Sequence, residues 1–203
     1  METVGSEPLI GWRLWRALGD TLVSWIAEEN WAPGENAAEC LAQHRTPCEA
    51  PPGAGCRCGY WATFGPERCL HLVRPRIGER ALGFYGRPVL GLVAGWGEVT
   101  IHGREGFRAG RAAPVLLFND VVAPRGLRPL RGWHRRRGAT LEGLRRRYGV
   151  PVVSLRAALQ QGVLAELGAG ETGIAEAAQM LGPQPREYPP ALKGGQPSPP
   201  TTG

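Results

Sequence analysis

All five cysteines of this 203-residue chain fall between Cys40 and Cys69, and four of them, Cys40, Cys48, Cys56 and Cys58, lie within 19 positions together with His44. That crowding sets the first constraint on the fold. Pro47 to Gly55 is too rich in proline and glycine for a helix or a paired strand, so this segment needs a cross-link to hold a shape. Zn²⁺ provides one, taking four soft or borderline ligands in a tetrahedron, thiolates at about 2.3 Å and imidazole nitrogens at about 2.1 Å. The expected ligands are Cys40, Cys48, Cys56 and Cys58. His44 is the reserve ligand, because it stands one helical turn beyond Cys40. Gly59 follows the second pair and lets the backbone fold around the metal. Four protein ligands leave no position for water, so the zinc is expected to be structural and not catalytic. The Cys-x-Cys spacing is tighter than the usual Cys-x-x-Cys and matches no standard finger. Free thiols in a small core and disulfides are the alternatives. Cys69 and His71 read as packing and surface residues.

Whether cysteines stay reduced depends on compartment. The first 30 residues carry early acids and no apolar run like that of a signal peptide, and nothing approaches the roughly 18 to 20 apolar residues of a membrane helix. A cytoplasmic protein with no membrane partner is expected, and in a reducing compartment clustered cysteines favour a metal over disulfides.

Two segments predict β-structure. Gly11-Trp12-Arg13-Leu14-Trp15-Arg16 suits a half-buried strand, Gly19-Asp20 a turn, and Thr21 to Ile26 a returning arm, although Leu14, Leu18, Leu22 and Ile26 also fall at helical spacing. Residues 88–118 carry the clearest strand signal. Gly103-Arg104-Glu105-Gly106 makes a hairpin turn there, and Gly95 and Gly97 around Trp96 predict a bulge. Between these segments, Trp31 to Gly34 is a turn and Glu35 to Gln43 is expected to be a short helix. The resulting class is α+β, with a small curled antiparallel sheet or barrel, a zinc-stapled cysteine-rich loop and a short helical segment after it.

Thirty glycines and 19 prolines also divide the chain. Residues 1–8 read as a flexible N-terminus, 9–121 as the zinc-stapled domain, 122–138 as a basic linker, 139–181 as a helical segment and 182–203, with seven prolines, as a disordered tail. Thr140 is the expected cap of a helix stopped by Gly149. Ser154 to Leu167 is a second amphipathic helix and Thr172 to Leu181 a third. Leu144 to Leu159 has the outline of a helix-turn-helix, but Val152 and Val153 stand where base-reading residues are normally polar. A helix followed by a short strand suits them better.

The order Trp12-Arg13-x-Trp15-Arg16, Trp31-x-Pro33-Gly34, Cys40, Cys48-x-Ala50-Pro51, Cys56-x-Cys58-Gly59, then Trp96-Gly97-x-Val99 and Gly106-x-Arg108-Ala109 resembles an uncharacterised family of small proteins from GC-rich bacteria. The likeness covers roughly residues 11–118. Members of that family have His where Cys48 stands, an exchange of one metal ligand for another, so the resemblance implies metal binding. It implies no activity.

Only one of the 24 cationic residues, Lys193, is lysine, and the net charge is +6. Guanidinium suits bidentate contact with phosphate, although a GC-rich gene also favours arginine. The clustering is more informative than the total. Arg125, Arg128, Arg131, His134, Arg135, Arg136, Arg137, Arg145, Arg146 and Arg147 fall in 23 positions with Trp133 among them. This is the charge pattern of phosphate contact, or of a solvated linker beside an exposed helix face. No nucleophile with a base, carboxylate pair or phosphate loop stands out. The sequence therefore points to a non-catalytic zinc-stabilised binding or adaptor module, whose Arg131, Arg135–137 and Arg145–147 contact nucleic acid or an acidic protein. Two alternatives are a small-molecule or peptide reader using Trp12, Trp15, Trp96, His102 and Arg108 as its surface, and an enzyme of unidentified chemistry.

Overall fold

A computed structural model describes residues 7–26, 29–40, 48–53, 55–70, 87–120 and 133–169. Seven strands, all but one pair antiparallel, form one sheet: β1 (Leu9–Leu18), β2 (Thr21–Ser24), β3 (Asn36–Ala37), β4 (Tyr60–Thr63), β5 (Arg87–His102), β6 (Gly106–Phe118) and β7 (Val152–Val153). Both expected hairpins form. Gly19 takes a positive φ of 62° between β1 and β2, with Leu18 opposite Thr21, and residues 103–105 turn β5 into β6.

Four strands close on themselves. β5 pairs with β1 and β6, and β4 pairs with the other side of both, Trp12 opposite Thr63 and Trp61 opposite Arg108. Closure on so few strands brings backbones very close, and glycine makes it feasible. A Cβ on Gly106 would sit 2.0 Å from the Ala62 carbonyl oxygen, and one on Gly11 would meet Ala62 and Phe107 at 2.8 Å. The register of β5 against β6 slips between Leu92 and Val93 and between Trp96 and Val99. The second slip is the bulge expected around Trp96. Pro114, which has no N–H to give a ladder, sits beside the first.

Alternate residues of the long strands enter two cores. Trp12, Leu14, Leu90, Leu92, Leu116 and Phe118 face one way, against Cys69, Leu70, Leu155, Ala158 and Leu164. Trp15, Ala17, Val89, Val93, Phe107, Ala109 and Leu117 face the other, against Trp31, Tyr60, Leu141, Leu144 and Tyr148. Covering both faces explains why the strands are apolar almost throughout instead of alternating.

Helix α1 (Trp133–Tyr148) lays Leu141, Leu144 and Tyr148 on the second core and stops at Gly149, whose φ is 65°. It begins earlier than the sequence suggests. Residues 133–138, expected within the linker, are helical, and Thr140 is inside the helix, its hydroxyl accepting from Arg87 Nη1 at 2.9 Å. No helix-turn-helix follows. Val152 and Val153 pair in parallel with Leu117 and Phe118, so the open edge of β6 takes these β-branched residues as a strand. The expected second helix is two short ones, α2 (Leu155–Gln160) and α3 (Val163–Glu166), broken at Gly162 with φ 70°. The expected helix from Glu35 does not begin there. Asn36 instead clamps a turn, its side chain accepting from the Ala32 N–H at 2.8 Å and donating to the Ala32 and Gly34 carbonyls at 3.1 Å, while 36–37 pairs with β6. Residues 41–47 with His44, the linker residues 122–132 with Arg131, the helix over 172–181 and the tail over 182–203 lie outside the described residues.

Candidate metal centre

Both ends of the cysteine loop are anchored on one strand. β3 pairs with β6 at Ala112 and Arg111, and Ala38 N–H reaches the Gly110 carbonyl at 2.8 Å. β4 pairs with the same strand at Ala109 and Arg108. Cys40 thus leaves β6 three residues beyond Ala37, and Cys58 returns two residues before Tyr60. Between them the loop lies on Gly110, where a Cβ would come within 2.3 Å of the Pro51 carbonyl oxygen.

The four sulfurs converge. Cys40 Sγ is 3.5 Å from Cys48 Sγ and 3.6 Å from Cys56 Sγ, Cys48 Sγ is 3.6 Å from Cys58 Sγ, and all four ligand atoms lie within 4.8 Å of one another. A regular ZnS₄ tetrahedron with bonds of about 2.3 Å has sulfurs about 3.8 Å apart, so these four need only small adjustments to hold the ion. The thiols are free; a disulfide would need about 2.05 Å. Each cysteine is half-buried, in contrast to Cys69, which is buried in the first core with its sulfur 3.2 Å from Thr63 Oγ1.

The local backbone is shaped for this cluster. Gly53 N–H donates to Cys58 Sγ at 3.4 Å, and its carbonyl accepts from Cys56 N–H at 3.2 Å. A Cβ on Gly53 would lie 2.3 Å from Cys48 Sγ. Gly59, at φ 98°, makes the turn out of the knuckle that the sequence predicts.

Proton affinity points the same way. The Cys56 thiol is drawn down to about 6, because its thiolate accepts first from the Cys58 backbone N–H and then from the neighbouring thiols. Cys48 is pushed up to about 12 by its hydrogen bond with Cys40 and by burial, and burial raises Cys58. The charged forms of Cys48 and Cys58 are disfavoured where that of Cys56 is favoured, and a cation among the sulfurs would stabilise them.

Arg108 joins this cluster to the barrel. Its Nη1 donates to the carbonyls of Cys56 and Cys58, the latter at 3.1 Å, and its Nε donates to His102 Nε2 at 2.8 Å. The His102 ring is 4.7 Å from that of Trp61. Arg108 is buried, so it is a tie between loop and hairpin and not the lining of a ligand surface, with half-buried His102 holding its Nε end. Trp12 and Trp15 correct that reading further. Both are fully buried, Trp12 stacked on Phe118 at 5.3 Å and Trp15 edge-on to Trp31 at 5.3 Å. Of the three tryptophans proposed as a surface only Trp96 is partly exposed, opposite Arg111 beside the bulge.

Of the basic cluster, His134, Arg135, Arg136, Arg137, Arg145, Arg146 and Arg147 lie on α1. Arg145, Arg146 and Arg147 occupy its last turn, where cations favour the helix dipole. Arg145 pairs with Glu142 at 2.8 Å and Arg147 with Asp20 at 3.2 Å. Arg146, its side chain 74% exposed, is 4.0 Å from Glu142. The side chains of Arg135, Arg136 and Arg137 lie outside the described residues.

Sequence reasoning missed Arg13. Its guanidinium lies 4.7 Å from the Trp31 ring centre and 5.9 Å from that of Tyr60, and donates to Trp61 O and to Ser24 Oγ at 2.9 Å. Burial draws its pKa down to about 10, against the opposing pull of Glu29. Its place in a Trp-Arg-x-Trp-Arg run is the only signal.

Fold and site together define a small closed β-barrel with a four-cysteine cluster able to hold a metal ion, flanked by a basic helix. No family model, curated protein or solved structure matches the chain. Among the described residues, no helix is long and apolar enough to cross a membrane.

Proposed function

We propose that the chain is a zinc-stapled, non-catalytic binding module whose basic C-terminal helical segment contacts nucleic acid. The convergence of four sulfurs within 4.8 Å carries the first half of this reading. An all-thiolate set suits Zn²⁺ among the common divalent ions, and four sulfurs complete its tetrahedron without a water, which supports a structural role. The metal would tie the loop between β3 and β4 to the barrel, a segment whose glycines and prolines give it little structure of its own.

The charge of α1 supports the second half. Three arginines on its final turn have Glu142 and Asp20 as their carboxylate partners, and Arg135, Arg136 and Arg137 precede them on the same helix. Native mass spectrometry tests the metal: one zinc per chain is expected, and a folded chain free of metal would overturn the reading. Binding to single- and double-stranded nucleic acid, measured against salt, tests the partner. Replacing Arg135, Arg136 and Arg137 with Ala is expected to weaken binding and flatten its salt dependence. Absence of binding by the wild type at low salt would eliminate nucleic acid and leave an acidic protein as the partner to test.

A further inference from the structure

We propose that Arg108 is the positioning residue of the four-cysteine centre, holding the Cys56–Cys58 knuckle in its metal-binding shape from the hairpin of β5 and β6. The inference rests on the metal reading above and adds what tunes that site.

Arg108 is an unusual residue to place here. It is 8% exposed, between Phe107 and Ala109 on β6, and among the described residues the acceptors that hold it are neutral: the Cys56 and Cys58 carbonyls and the His102 imidazole. A buried guanidinium held only by neutral partners is costly, because its lost hydration is not returned by an opposite charge. The cost is offset once the centre is loaded. Four thiolates around Zn²⁺ carry a net charge of −2, and Arg108 touches the backbone of two of the four ligands. Cation and tetrathiolate therefore stabilise each other, and each is poorly compensated without the other.

Geometry adds to charge. One nitrogen donating to both carbonyls requires those of Cys56 and Cys58 to face the same way. The Gly53 N–H holds Cys58 Sγ from the other side of the loop. His102 fixes the far end of the guanidinium, and its ring rests against Trp61. The knuckle is thus set by a chain of contacts that begins in the barrel wall, the arrangement by which outer partners hold metal ligands in place.

The test uses the full chain and competition with a chromophoric chelator for Zn²⁺, together with the visible spectrum of the Co²⁺-substituted protein. Arg108→Gln is expected to lower zinc affinity about 10- to 100-fold and to distort the cobalt spectrum. Arg108→Lys, which keeps the charge but not the fork, should lose less, and His102→Ala, which frees the fork but keeps it, less again. Far-UV circular dichroism of the metal-free proteins separates this from a general loss of fold. Wild-type affinity and spectrum in Arg108→Gln would overturn the proposal. If that variant does not fold, unchanged affinity in both Arg108→Lys and His102→Ala would overturn it instead. A wild-type chain that takes up neither zinc nor cobalt would remove the metal reading itself, and this inference with it.

Discussion

The hydroxyl of Tyr148 donates to the backbone carbonyl of Trp31 at 2.8 Å. The same oxygen accepts from the Leu22 N–H at 2.9 Å, so the last residue of α1 stands in for a missing strand partner at the edge of β2. Trp31 in turn donates from Nε1 to Ser24 Oγ at 2.9 Å, and the ring lies against Arg13 and Tyr60. This phenol and the leucines beneath it fasten the basic helix to the barrel, alongside the Arg87–Thr140 hydrogen bond and the Arg147–Asp20 pair.

Tyr148→Phe therefore leaves two buried backbone groups unpaired while changing little volume. The expected destabilisation is about 1–3 kcal/mol, seen as a lower urea midpoint with an unchanged slope. Faster amide exchange at Leu22 is expected to accompany it. An unaltered midpoint would mean that the Tyr148 hydroxyl adds nothing to the hold of Leu141, Leu144 and the Arg87–Thr140 hydrogen bond on α1.

Local rules account for what was legible in the sequence. Gly19-Asp20 and Gly103 to Gly106 are turns because of their own backbone preferences, and the bulge at Trp96 follows from flanking glycines. The convergence of the four cysteines is legible because thiolate chemistry leaves few alternatives for four such residues in a proline-rich loop. Misreadings arose where a distant element decides. Trp12 and Trp15 look like a surface when strand alternation is assumed to leave one face wet, yet the two cores cover both faces. Asn36 suits a helix start equally well until Ala112 pairs with it. Arg108 resembles a surface cation until β4 and the knuckle close over it, and no short-range pattern reports that closure.

Closure itself has a sensitive point. At Gly106 any side chain meets the Ala62 carbonyl, and β4 has only four residues with which to adjust. Gly106→Ala is expected to cost about 1–3 kcal/mol through forced backbone shifts, measured by thermal or urea denaturation, with loss of amide protection concentrated in β4. Wild-type stability in this variant would contradict the close approach of β4 and β6.

His102 gives a pH signature. Burial first, and Arg108 second, hold its pKa below the ordinary 6.5, with Glu105 opposing. Accepting from Arg108 at Nε2 places the proton of the neutral ring on Nδ1. Between the unfolded value near 6.5 and the lower folded one, the unfolded chain binds more protons, so this group's contribution is present above about pH 6.5 and is lost as pH falls toward the folded value. His102→Gln does not titrate, and the slope of stability against pH in that window should be shallower than in the wild type, both measured with metal chelated. Identical slopes would show that the ring titrates normally.

The loop can be perturbed without touching either core. A methyl group at Gly53 would fall 2.3 Å from Cys48 Sγ and 2.8 Å from its Cβ, while the Gly53 N–H that holds Cys58 Sγ remains in place. Gly53→Ala must therefore push Cys48 out of the cluster or shift the turn that carries Cys56. Either movement spoils a four-ligand tetrahedron, whereas Trp12, Phe107 and Leu117 feel nothing. The expected result is a weakened zinc affinity with a metal-free thermal midpoint close to wild type, and a stabilising increment from added zinc that shrinks accordingly. Measuring both midpoints, with zinc and with chelator, checks it. If zinc raised the midpoint of Gly53→Ala as much as that of the wild type, Cys48 would not be a ligand.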